Sequence, residues 1–206
     1  MTLTPSLRKI SLTAHVASSV GWMGAVGAFL VLALAGLWYQ DADTSRAAYV
    51  SMRLVTWWVI VPLSVASLLT GVVQSIGTQW GLFRHYWVVT KLGIAVVASV
   101  LLLLHTQPIE AVARAAAESD FASDALRRLR LQLVVDAIAA LLALTAATAL
   151  SVFKPVGMLA RRGFVSSPLV AAANARWRRA WVVGGALVLA LFVLKHLAGG
   201  HGGHLR

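Results

Sequence analysis

The feature that most limits what this chain can become is a series of long apolar runs separated by short polar connectors. Five runs stand out: 12–38, 54–75, 86–105, 131–153 and 180–194, the last being the shortest. A hydrocarbon core of about 30 Å takes about 20 apolar helical residues to cross, and inside it every backbone polar group must be satisfied within the segment. The expected fold is therefore all-α, a polytopic membrane bundle of five transmembrane helices in one domain over 1–197, and not a soluble enzyme. Composition agrees: with 59% hydrophobic and 12% charged residues in 206, the chain has more apolar side chains than a soluble domain of this size can bury. Trp38, Trp57, Trp58, Trp80, Trp87, Trp177 and Trp181 fall near run ends, where amphipathic rings sit at headgroup level. Only Trp22 lies well inside a run.

A net charge of +11 is also found in nucleic-acid binders, but here the basic residues flank apolar runs instead of covering one soluble face. Anionic headgroups of the lipid bilayer are the expected partner. The absence of cysteine excludes disulfides, thiolate metal sites, iron–sulfur clusters and covalent haem attachment. Arg8 and Lys9 precede the first run as in a signal peptide, yet the stretch that follows is too long for an h-region and reads as the first span.

Orientation follows from the basic residues near span ends. With the N-terminus inside, the inner side holds Arg8, Lys9, Arg84, Lys91, Lys154, Arg161, Arg162, Arg176, Arg178 and Arg179; the outer side holds Arg46, Arg53, Arg114, Arg127, Arg128, Arg130, Lys195 and Arg206. The dense group between spans four and five decides for a cytoplasmic N-terminus. Spans two and three, joined through Gly77 to Gly81, must be antiparallel neighbours. Ile109 to Arg130, where Ser123 can cap a helix pairing Asp124 with Arg128, reads as an outward extension of spans three and four. The tail 198–206 is too rich in glycine to hold one conformation.

Polar residues inside spans need a reason. His15 and Trp22 share a face of the first run, and Gly21, Gly24 and Gly27 leave that region nearly without side-chain bulk, as for a flat ligand or for a closely packed helix. Lys91 and His105 share a face of the third run but stand about 21 Å apart, so they cannot share one site; the alternative to a functional role is that each snorkels to its own interface. The second run has Pro62, which removes a hydrogen bond to the Trp58 carbonyl, and a polar stripe of Ser67, Thr70, Gly71 and Gln74 expected to face other helices. Asp136 lies inside the fourth run and calls for a partner, His105 or Arg53 being at matching depth. Sorting by membrane side places His15, Arg84, His85 and Lys91 in the inner half and His105, Asp136 and His196 in the outer half. Either group has imidazoles able to ligate haem iron, copper or zinc.

The residues His15-x6-Trp22-x-Gly24, Leu69-Thr-Gly71, Trp80-Gly81, Trp87-x3-Lys91, His105 and the Ser151-Val-Phe-Lys-Pro-x-Gly157 exit resemble the bacterial predicted integral membrane protein family labelled DUF2269. The first-span His-x6-Trp and third-span Trp-x3-Lys are also similar to two wider groups, the membrane domain of copper-resistance protein D and the J-type membrane protoporphyrinogen oxidase. The resemblance covers about 10–157 and departs from the family at Asp136, where histidine is usual. It implies a multi-pass protein of the bacterial inner (cell) membrane, with a cofactor site at His15, His85, Lys91 and Arg84. That site implies haem b in electron transfer or an oxidoreductase-linked role, with His15 as axial ligand and Lys91 and Arg84 on the propionates. The alternatives are copper handling at a metal site of His105, Asp136 and His196, and a scaffold or accessory subunit bound to another membrane protein. The lack of a Met-x-x-Met or cysteine pattern counts against moving copper(I), which prefers soft ligands.

Overall fold

A computed structural model describes residues 3–39, 41–77, 85–118 and 124–153. The fifth run, the connector before it, Arg84, His196 and the histidine tail lie outside the described residues. Helix α1, Pro5–Trp38, opens with Thr4 as N-cap, its hydroxyl accepting from the Leu7 amide, and with Pro5 at the first position, where a missing N–H costs nothing. Helix α2, Ala42–Val55, is capped by Asp41, whose carboxylate accepts from the Thr44 hydroxyl at 2.6 Å and the Thr44 amide at 3.0 Å. These bonds hold the Asp41 carboxyl below its ordinary range. A π-helical turn, Thr56–Ile60, joins α2 to α3, Val61–Ile76, without a break. Pro62 explains that turn. Its ring collides with the carbonyl four residues back, and the wide turn, closed by the Val61 amide on the Thr56 carbonyl, moves the ladder aside. Helix α4 is Tyr86–Ala117 and α5 is Asp124–Phe153.

Four helical stretches are long and apolar enough to cross a membrane: Pro5–Trp38, Ala42–Ile76, Trp87–Ala117 and Leu126–Phe153. They run well beyond the apolar windows read from the sequence. Residues 39–53, expected as a connector, are mostly α2, and α4 passes Pro108 to reach Ala117. The reason is a change of solvent, not of secondary structure. Ala48, Tyr49 and Met52 on α2, Ile109, Val112, Ala113 and Ala116 on α4, and Leu126 on α5 recur at helical spacing and are all buried. Arg46, Arg53, Arg114 and Arg128 occupy other faces of the same helices. One end of the bundle thus continues as a crown with an apolar core and a polar surface. Arg46 caps α4 there, its guanidinium donating to the carbonyls of Ala116 and Ala117 at 3.0 and 2.8 Å, where a cation meets the negative end of the helix dipole. Arg53 pairs with Glu110 at 3.6 Å, and the Trp57 indole donates to the same carboxylate.

Packing follows a ring: α1 lies against α2, α3 and α5, and α4 lies against the same three from the opposite side. Away from the crown the outward surface is apolar, with Val16, Val20, Val31, Leu69, Val73, Val100, Leu103 and Leu142 exposed. Inside it, Trp22, Phe29, Leu144 and Leu150 are buried, and hydroxyls of Ser18, Ser64, Ser67 and Ser99 are sheltered among them. This is what lipid dictates. Tails are as apolar as leucine, so helices associate through close approach and internal hydrogen bonds instead of through burial from water. The stripe of Ser67, Thr70, Gly71 and Gln74 does face another helix. It meets α1, where Ser67 bonds Ser19 at 2.8 Å and Gln74 donates to the Arg8 carbonyl.

Candidate functional site

Among the described residues, two polar clusters lie inside the bundle away from the crown. The first joins α1, α3 and α4. The Nδ1 of His15 lies 3.1 Å from the Ser67 carbonyl oxygen and 3.1 Å from the Thr70 hydroxyl. The carbonyl can only accept, and the Thr70 proton is committed to the Ala66 carbonyl at 2.6 Å. Both contacts therefore need the proton on Nδ1. Nε2 then carries a lone pair, and it accepts from the Lys91 Nζ at 3.2 Å. The partners stand on helices that face each other across the ring, so the two side chains bridge its middle. Space for the imidazole comes from Gly71, where a Cβ would lie 3.1 Å from His15 Cε1.

The second cluster joins α4 to α5, about 21 Å further along α4. His105 Nδ1 donates to the Leu101 carbonyl at 2.6 Å, one turn earlier on its own helix. Its Nε2 lies 2.9 Å from Asp136 Oδ2, with the Gln132 amide at 3.5 Å. With Nδ1 already protonated, so close an approach of Nε2 to Oδ2 calls for one further proton on the pair. It is held either as imidazolium and carboxylate or as neutral imidazole and carboxylic acid. Both side chains are largely buried, at 9% and 14% exposure. Of the two partners expected for Asp136, His105 is the one it meets; Arg53 is taken by Glu110.

The expected haem constellation is only partly assembled. His15 and Lys91 meet, while His85 stands at the N-cap of α4 with its ring 6.3 Å from the Trp87 ring; Arg84 lies outside the described residues. Axial ligation needs the Nε2 lone pair of His15, which Lys91 holds. The glycines do not form the slot either. A Cβ at Gly21 would meet Leu63, and Gly24 is exposed on the face of α1 opposite His15, with open space around it. As arranged, His15, His85 and Lys91 do not by themselves form a haem site. Trp22, on the His15 face, is packed into the core. For copper, the structure brings His105 and Asp136 together but offers no third ligand: no group of three or more histidine, cysteine, aspartate or glutamate side chains occurs among the described residues. His196 lies outside them. An open groove of about 680 Å³ beside the crown is lined by Trp57, Pro108, Glu110 and Arg114, and no sequence pattern pointed to it. Compared with family models, curated proteins and solved structures, the chain matches none.

Proposed function

We propose that this chain is a proton-handling protein of the bacterial cell membrane. It takes up and releases a proton at the His105–Asp136 pair in the course of a membrane-bound redox or transport reaction. One observation carries the reading: a histidine and an aspartate 2.9 Å apart between two spanning helices, both largely buried. Ionisable residues at such depth are costly to hold and mark proton relays and ion pathways. The backbone carbonyl of Leu101 fixes the ring and leaves Nε2–Oδ2 as the place where the proton moves. The test is infrared difference spectroscopy on the purified full chain as pH is stepped from about 4 to about 9, which brackets ordinary carboxyl and imidazole values. The expected result is a protonated-carboxyl band that titrates in the native chain and is missing from Asp136→Asn. Identical spectra for both would end the reading. The haem and copper readings enter the same preparation through its absorption spectrum, where a Soret band removed by His15→Ala would favour haem.

The proposal includes five spans, the fifth over 180–194, with the N-terminus cytoplasmic. Its support is the basic connector 154–179, which lies on the side of the N-terminus if four spans precede it. Reporter fusions after Gly157 and after Arg206 are expected to be active in the cytoplasm and outside it, respectively. Cytoplasmic activity at both would leave an even number of spans.

A further inference from the structure

We infer that Lys91 and His15 form a binding site for a phosphate oxyanion, supplied by the headgroup of an anionic phospholipid. The argument starts from charge. His15 is fixed as a neutral ring by its Nδ1–H bonds to the Ser67 carbonyl and the Thr70 hydroxyl, so it supplies Lys91 with a lone pair but no counter-charge. Neither ion pair recorded among the described residues includes Lys91. Among the described residues, that ammonium has one of its three N–H groups on a neutral acceptor, and its two other donors and its charge go unanswered there, which is expensive beside lipid.

Position selects the anion. Lys91 stands five residues into α4 and His15 ten residues into α1, at the end of the bundle where both helices begin. Both side chains are half-buried, so part of each remains accessible to an approaching group. At about 1.5 Å per residue, Lys91 lies about 8 Å below the start of its helix, a depth that a phosphodiester reaches when its acyl chains lie along the bundle. The surface that would receive those chains is present: Leu12, Val16, Leu69, Val73 and Ile76 around the site are all exposed. A charge-assisted bond from an ammonium to a phosphate oxygen is among the strong ones, and the two remaining N–H groups supply it. The site is separate from the His105–Asp136 pair and stands whether or not that pair handles protons.

The test uses the full chain and its own lysines. The protein is reconstituted in phosphatidylcholine vesicles, in phosphatidylglycerol vesicles, and in phosphatidylcholine vesicles with inorganic phosphate. It is then acetylated with a neutral amine reagent, and labelling of Lys91 is measured relative to Lys9 by peptide mass spectrometry. Lys9 is an exposed residue at the same end of the bundle, so the ratio cancels the surface potential. The expected result is about tenfold protection of Lys91 in phosphatidylglycerol, the factor a single strong contact supplies, and none with inorganic phosphate. Protection by inorganic phosphate as well would keep the oxyanion site and make its source a small anion. Equal labelling in all three conditions would overturn the proposal. As a second measurement, native mass spectrometry should find phosphatidylglycerol retained by the native chain and by Arg8→Gln but lost from Lys91→Gln; equal retention by all three would also overturn it.

Discussion

Asp136→Ala lowers the stability of the purified bundle by about 3–5 kcal/mol, the loss expected when one partner of a buried ion pair is removed and the other left behind. The residue left is His105, whose Nε2 would face a cavity while its Nδ1 stays on the Leu101 carbonyl. Replacing both residues by leucine should recover most of the loss, since apolar side chains of similar volume need no partner. Gln132→Leu is the contrast. It removes a long 3.5 Å contact, and hydrogen bonds between helices within membranes are worth about 0.6 kcal/mol on average, because the unfolded chain in lipid also finds partners. Thermal unfolding of the four proteins in one detergent gives the comparison. A double variant as unstable as Asp136→Ala would show that volume, not charge, governs the site. Asp136→Asn belongs at the mild end, because an amide can donate to Nε2 and only the mobile proton is lost.

Gly36→Ala is expected to cost about 1–3 kcal/mol, as overpacking of a filled site does, and Gly36→Val more. A Cβ at Gly36 would stand 2.6 Å from Cζ and 2.7 Å from Cε2 of Tyr49. The ring cannot retreat, because Tyr49 is 1% exposed and wedged in the crown core. Tyr49→Leu should relieve Gly36→Ala in a double-mutant cycle, with a coupling of about 0.5–3 kcal/mol. Gly24→Ala is the control: its Cβ meets nothing within 4 Å among the described residues, so the helix propensity of alanine favours it by up to about 1 kcal/mol. Equal effects at the two positions would mean that α1 and α2 are not in contact at Gly36.

The glycines show how far residue type carries. Gly21, Gly24 and Gly27 look like a slot on paper because three glycines cluster near a histidine. A glycine nine residues on points to the opposite side of a helix, and Gly24 faces outward. Glycines that make room, such as Gly36 for Tyr49, Gly71 for His15 and Gly21 for Leu63, are identified only by what lies across from them. The site partners follow the same rule. The stripe on α3 was legible as a helix-facing surface because four small or polar residues recur at helical spacing. That its carbonyl at Ser67 and hydroxyl at Thr70 set the tautomer of His15 was not legible, since a carbonyl has no residue signature.

By itself the sequence determined the helical character of the chain, the apolar windows of the first four spans, the disturbance at Pro62, and the need of Asp136 for a partner. Each follows from an interaction local in the chain or from the cost of a group in lipid, and neither depends on neighbours. The extension of spans three and four over 109–117 and 124–130 was legible too, whereas the tertiary structure alone decided that 42–53 is helix, because its apolar stripe finds a partner only in the crown. It also decided the lateral order and rotation of the helices. His15 and Lys91 are separated by 76 residues, and whether two such side chains meet depends on which faces the ring turns inward, a choice made by the summed packing of all its helices and carried by no single segment.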